Sequence, residues 1–227
     1  MKSLNIYNIE SKMIKNKRDG AKKFDPRISY KRKFKEFGVS PQALQWKSKG
    51  AAHQRFRQFW AEIDFDGKKV LDVGCGFGEM GNFLTKRYEN VKYKGVDIMP
   101  EFIENGKVIY PSLELESYDY FGHPKPEVFD VVLCSGALNS NFGTREENLE
   151  FRKNAIKVMF EHTNNVMAFN MLGGHPSPLN DDSESNIWYS DSMEILEYCM
   201  SLTRRVILRH QYHPSDFTIF MYKVKEK

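Results

Sequence analysis

Residues Val70-Leu71-Asp72-Val73-Gly74-Cys75-Gly76-Phe77-Gly78 form an apolar run with an acid near its end that breaks into three alternating glycines. Met80, Phe83, Leu84 and Tyr88 follow at helical spacing. The pattern is strand, tight turn, helix. Glycines suit such a turn because a Cβ there would keep a ligand from the backbone. The helix start beyond it offers N–H groups with no partner inside the helix. Asp97 ends the next apolar segment, Tyr93-Lys94-Gly95-Val96-Asp97. A carboxylate at that place can accept from both hydroxyls of a ribose.

Spacing decides which nucleoside fits. A dinucleotide loop needs G-x-G-x-x-G around a pyrophosphate. Here the third glycine, Gly78, comes one residue early, and Glu79 stands at the dinucleotide position. An anion there repels a pyrophosphate. Asp72 adds a second carboxylate, which suits a ligand carrying an ammonium and a sulfonium. The stretch Leu71 to Gly78 resembles motif I of the class I S-adenosylmethionine-dependent methyltransferases.

That resemblance implies roles for further residues. Gly74, Cys75, Gly76 and Gly78 would lie along the methionine part and sugar, and Asp72 would face the amino group. Asp97 would hold the ribose hydroxyls, with Ile98 on the adenine. Tyr118 and Asp119, after the third strand, share the expected contact to the adenine amine. The fourth strand ends in Leu133-Cys134-Ser135-Gly136-Ala137-Leu138-Asn139. Ser135 there would lie under the methionine chain, and Asn139 would orient the acceptor. The implied cofactor is S-adenosylmethionine, with S-adenosylhomocysteine as product.

A sulfonium is already electrophilic, so the protein's work is alignment, which can supply roughly 7–11 kcal/mol. A hydroxyl acceptor also needs a base, worth roughly 10²–10⁴-fold. His175, in Gly173-Gly174-His175-Pro176 after the fifth strand, is the expected base. His210 and His213 point to opposite faces if extended, so they do not suggest a shared metal. No metal site is expected.

The elements that must position these groups alternate. Strands are expected at 69–73, 92–97, 112–116, 128–134, 166–170, 205–212 and 217–224, with helices at about 79–88, 100–109, 145–162 and 191–202. Repeated strand–helix units predict an α/β, Rossmann-like, mostly parallel seven-stranded sheet with helices on both faces. The last two strands are joined by too short a turn for a crossover, so that hairpin is antiparallel. Ser40-Pro41 reads as a helix start. The expected division is a basic, mostly helical N-terminal segment or lid over 1–64, able to cover a cofactor cleft and with 1–25 disordered or loosely attached, and a methyltransferase domain over 65–227.

The 227 residues carry a net charge of +4, distributed unevenly. Residues 1–58 hold 16 Lys+Arg against 4 Asp+Glu, and the rest hold 18 against 26. A basic front on an acidic body suggests an anionic partner. Mean hydropathy is -0.58, and no apolar run approaches the ~18 residues of a membrane span. The chain therefore reads as soluble and cytoplasmic, with no membrane partner. Three scattered cysteines fit neither a disulfide framework nor a zinc site. The compact chain and the polar stretch 173–190 favour a small-molecule acceptor methylated on oxygen or nitrogen. So does the absence of an Asn/Asp-Pro-Pro-Tyr motif after the fourth strand. Two alternatives stay open: an RNA methyltransferase using the basic N-terminal segment, and a non-catalytic cofactor-binding module.

Overall fold

The sheet grows outward from β1 (Lys69–Val73), the strand that carries Asp72. The computed structural model describes residues 25–177 and 185–224. β1 pairs in parallel with β2 (Lys92–Asp97) on one side and β4 (Phe129–Ser135) on the other. β3 (Glu114–Ser117) extends the β2 edge, and β5 (Thr163–Gly174) extends the β4 edge. β8 (Asp216–Tyr222) then runs antiparallel to both β5 and β7 (Val206–Arg209). The order is β3-β2-β1-β4-β5-β8-β7, and the two-residue β6 (Ser190–Asp191) pairs with the end of β5. β1 and β4 are adjacent but not consecutive, so the chain reverses its direction of growth between them. Their carboxyl ends flank the crevice where an open α/β sheet takes its ligand.

Helices α3 (Glu79–Thr85), α4 (Pro100–Ile109), α5 (Arg145–Glu161) and α6 (Ser192–Leu202) link these strands. α5 starts on a capping box in which Thr144 Oγ1 accepts from the Glu147 N–H and Glu147 from the Thr144 N–H. Two apolar clusters cover the faces of the sheet. Leu71, Val73, Val132, Phe169 and Ile219 meet Ile156, Met159 and Ile195 on one face. Val70, Val131, Leu133 and Phe220 meet Phe56, Phe59, Met80 and Phe83 on the other. Alternate residues of β1 and β4 thus serve opposite clusters, as a strand buried on both faces requires.

The N-terminal residues build part of this body. α1 (Pro26–Phe37) begins at Asp25, which accepts from the Arg27 N–H at 2.9 Å, and stops at Gly38 with φ 60°. α2 (Lys49–Trp60) lays Phe56 and Phe59 into the second cluster. A third cluster sets Tyr30, Phe34, Ala43 and Leu44 against Phe77, Met99 and Phe102. The Phe77 and Phe102 rings lie 5.0 Å apart, edge to face.

Several boundaries differ from the sequence reading. Ser40-Pro41 opens only a one-turn 3-10 helix, Pro41–Leu44. The Trp46 N–H closes back on Pro41 O, Gln45 turns left-handed, and Ser48 then caps a new helix. β5 runs to Gly174 because β8 pairs with it as far as Leu172 and β6 pairs with the two glycines. β7 is shorter than expected and ends at Arg209. The loose attachment expected for residues 1–25 falls, Asp25 apart, outside the described residues. So does the 178–184 part of the polar stretch.

Candidate functional site

The glycine loop leaves β1 at Val73 and is tied to β2, Gly74 and Cys75 both donating to Val96 O at 2.8 and 3.1 Å. Gly74, Gly76 and Gly78 have φ of 75°, 57° and 90°. These left-handed values admit glycine and resist side chains. A Cβ on Gly74 would collide with Ala137 Cβ, and one on Gly76 would approach Leu44 Cδ1 to 2.9 Å. The glycines are therefore required by the packing of the loop on its neighbours, in addition to any ligand. Cys75 is buried, with its thiol 3.7 Å from Gly76 O.

Two buried acids flank this loop. Asp97 Oδ2 accepts from the Gly76 N–H and Oδ1 from the Met99 N–H, both at 2.9 Å. Burial pushes its pKa up to about 6, against the opposing pull of those N–H bonds. Each oxygen keeps a second lone pair for a further donor. Asp72 Oδ2 accepts from Tyr93 Oη at 2.7 Å, while Oδ1 is buried without a protein partner. Burial lifts Asp72 to about 7; the Tyr93 hydroxyl opposes this and the Asp97 charge adds to it. An orphaned carboxylate oxygen in a cavity wall is placed to meet a cationic group. Glu79, at the start of α3, accepts from Tyr110 Oη and pairs with His53 Nε2 at 3.1 Å. Burial acts to raise it, but those hydrogen bonds prevail and hold it below the usual carboxylate value.

One cavity of about 2340 Å³ runs along the carboxyl ends of the strands. The structure brings Asp72, Gly74, Cys75, Gly76, Asp97, Ile98, Tyr118, Asp119, Ser135 and Asn139 together in its wall. Gly78 lies behind them, packed on Leu113 and Leu115. Asp119 is held by the Gly122 N–H at 3.0 Å, and Ser135 Oγ donates to Asn170 Oδ1 at 3.3 Å. Asn139 Oδ1 is taken by the Leu172 N–H at 2.9 Å, so the side chain ties the loop after β4 to β5. His175 is not in this wall. Its side chain is 59% exposed and its Nδ1 sits 3.1 Å from Asp191 Oδ2.

The far wall rests on a buried amide network. Asn148, fully buried in α5, donates to Asn141 Oδ1, Gly143 O and Thr144 O and accepts from the Phe142 N–H. Arg152, 1% exposed, donates to Asn148 and to Ser140 O. Asn141 then reaches Ser185 O, and Asn186 reaches Ser29 Oγ on α1. Sequence reasoning missed this network, and it missed Tyr30 and Arg55, which also line the cavity beside Trp46 of the front segment. None belongs to a motif, and only long-range packing brings them in.

Known proteins share part of this sequence and its fold. Residues 70–160 match a family described as a methyltransferase domain. A Mycobacterium tuberculosis protein (Rv1506c), provisionally named a methyltransferase, is 22% identical over 162 residues, 70% of this chain and 95% of that one. The fatty-acid O-methyltransferase of Mycolicibacterium smegmatis is 31% identical over 83 residues, only 35% of this chain and 30% of that one. The magnesium protoporphyrin IX methyltransferase from Synechocystis PCC 6803, crystallised with S-adenosylmethionine, superposes with a TM-score of 0.61. The match covers 90% of this chain and 100% of that one at 13% identity, a likeness of fold. Residues 70–160 thus carry a methyltransferase domain, on a sheet with the fold of a methyltransferase that binds S-adenosylmethionine.

Proposed function

We propose that this enzyme methylates a small-molecule acceptor, on oxygen or nitrogen, inside the cavity that also takes the cofactor. The observation that carries this reading is the continuity of that cavity from Asp72 and Asp97 to the wall at Asn141, Phe142 and Trp188. Its volume exceeds the roughly 300–1,000 Å³ of a single-ligand pocket, which leaves room for an acceptor beside the cofactor.

The residues present fit the cofactor. Asp72, with a buried unpartnered oxygen, would face the ammonium group. Asp97, already fixed by two backbone N–H groups, would take the ribose hydroxyls, with Ile98, Tyr118 and Asp119 around the adenine. S-adenosylmethionine, when bound, supplies a methyl group on an electrophilic sulfonium. The chain's own part is alignment and exclusion of water. Asn139 and the Asn148–Arg152 network hold the acceptor wall, and α1 closes over it through the Ser29–Asn186 contact. The relatives named above act, by their names, on a fatty acid and on a magnesium porphyrin, both small molecules. Arg32 on α1 borders the cavity, which favours an acceptor with an anionic group.

The test is incubation with methyl-labelled cofactor and a cell extract split into small-molecule and RNA fractions. Label in a small molecule is the expected result. Label in RNA would move the acceptor to nucleic acid, using the basic N-terminal segment. Cofactor binding with no labelled product would indicate a non-catalytic module.

A further inference from the structure

A second cavity, of about 330 Å³, adjoins the large one. Arg145 and Trp188 line both, so the two share a partition. Arg152 lines only the smaller one. This side chain is a buried cation without an anion. It is 1% exposed. Nη1 donates to Asn148 O at 2.8 Å and to Asn148 Oδ1 at 3.0 Å, and Nη2 donates to Ser140 O at 3.0 Å. All three acceptors are neutral amide oxygens. Nε is buried with no partner. Burial alone pulls the guanidinium down, to about 9, and no carboxylate among the described residues counters it. The group still carries its charge at neutral pH. The two acids in the same wall are engaged elsewhere. Glu194 Oε1 takes Arg145 Nη2, while Asp191 caps α6 and pairs with His175 Nδ1.

Ser190 adds a second unpartnered group to this wall. It is 3% exposed, and its Oγ is buried with no hydrogen-bond partner. β6 fixes its backbone. Ser190 pairs with Gly173, where a Cβ would strike Ser190 O. The main chain is thus clamped to the end of β5 while the hydroxyl is left unused. A buried charge is costly unless an opposite charge or hydrogen bonds compensate it. Here neutral oxygens meet Nη1 and Nη2, and nothing meets Nε. An oxyanion that accepts from the Arg152 Nε–H and the Ser190 O–H satisfies both groups and neutralises the cation. The volume is at the low end for a small-molecule site, which suits one carboxylate or phosphate group.

We propose that this second cavity is an oxyanion site, in which Arg152 Nε and Ser190 Oγ hold one carboxylate or phosphate group. Neither residue lines the large cavity, so the site stands whether or not the cofactor reading does. The group has two possible sources. An acidic tail of the acceptor reaches it past the Trp188 and Arg145 partition, and a free inorganic anion reaches it from solvent. Either one fastens α5 to β6. Arg152 already holds the loop after β4 through Ser140, and the Trp188 N–H donates to Asn139 O of that loop at 2.8 Å. An anion here therefore locks the segment that brings Ile187 and Trp188 into the wall of the large cavity.

Titration calorimetry of the full chain with inorganic phosphate, and separately with acetate, tests this, ionic strength being held constant with chloride. The wild type should bind at least one of the two. Ser190→Ala should weaken that anion about 3- to 10-fold, the range of a neutral hydrogen bond. Arg152→Met should weaken it more than about tenfold, as for a hydrogen bond to a charged group. Ser190→Asp brings its own carboxylate and serves if Arg152→Met does not fold. It should abolish anion binding and raise the melting temperature in anion-free buffer by about 2–4 °C. No binding of either anion by the wild type would overturn the proposal. So would an affinity unchanged in Ser190→Ala and Ser190→Asp, which would put the anion elsewhere. Incubation with labelled cofactor and extract then separates the sources. Phosphate or acetate that inhibits labelling of a small molecule, and less so in Ser190→Ala, supports the site as one for the acceptor's own acid; labelling that holds or rises supports a free anion. Anion binding with no labelled product would leave this site standing and sink the acceptor reading alone.

Discussion

The most exposing perturbation of the cofactor site is pH, because Asp72 is held near neutrality. Burial lifts its pKa to about 7, and only the ionised form attracts an ammonium. The ionised fraction is about nine-tenths at a pH of about 8 and about one-tenth at a pH of about 6, by the ordinary titration curve. If the ionised form binds, the dissociation constant for S-adenosylhomocysteine should rise about tenfold between those two values, roughly 1.4 kcal/mol. Asp97, at about 6, steepens the loss below that point. The ligand-free protein should show the opposite trend in stability. Between the unfolded carboxylate value near 4 and about 7, native Asp72 holds a proton that the unfolded chain has released. Stability therefore falls as pH rises through that window and levels off above it. Asp72→Asn removes both effects: its affinity should be lower and flat between about pH 8 and 6, and the fall in melting temperature over about pH 4–7 should shrink. Calorimetry and thermal melts across this range provide the check. A wild-type affinity independent of pH, or a slope that survives in Asp72→Asn, would refute the reasoning.

Three further outcomes follow from contacts in the loops. Asp97→Ala should lose stability as well as cofactor, since it orphans the Gly76 and Met99 N–H groups at about 1–3 kcal/mol each; Asp97→Asn keeps one acceptor and should lose cofactor with a smaller drop in denaturant midpoint. Gly74→Ala should cost about 1–3 kcal/mol from its left-handed backbone alone, plus the collision with Ala137; pairing it with Ala137→Gly should recover the collision but not the backbone part in urea unfolding. Asn148→Ala should destabilise the chain by about 2 kcal/mol or more, because Arg152 and the Phe142 N–H lose a buried partner. Affinity for S-adenosylhomocysteine by calorimetry should stay within about threefold, since Asn148 serves the far wall.

The parts of this site that were legible in the sequence are those encoded over short distances. Gly74, Gly76 and Gly78 announce their turn because left-handed backbone demands glycine one residue at a time. Asp97 is found by counting, since a parallel neighbour strand ends level with β1. The sheet order follows from strand–helix alternation, and β4 shows itself by burial on both faces. His175 illustrates the limit. It follows a strand that ends on the correct edge of the sheet, and the sequence places it there rightly. Yet β5 continues through both glycines to pair with β6 and β8, and this carries the imidazole past the cavity to Asp191. Extension by pairing depends on partners 16 and more residues away, which no local pattern records.

The same reasoning explains why the sequence pointed to a covering front segment without showing which of its side chains meet the cavity. Trp46 and Arg55 lie on segments whose patterns speak only of helix, and Ser48 restarting the helix after the break at Gln45 hides the bend that aims them inward. The placing of Arg55 depends on Asp216, 161 residues further on, being buried at the start of β8. A buried acid with no motif around it looks in sequence like any strand-end aspartate. Only the fold makes it costly to leave unpaired, and that cost gives Arg55 a fixed geometry. Chemistry carried on one continuous loop can be read from its residues, whereas chemistry assembled from both ends of the chain becomes readable only after the strand order is known.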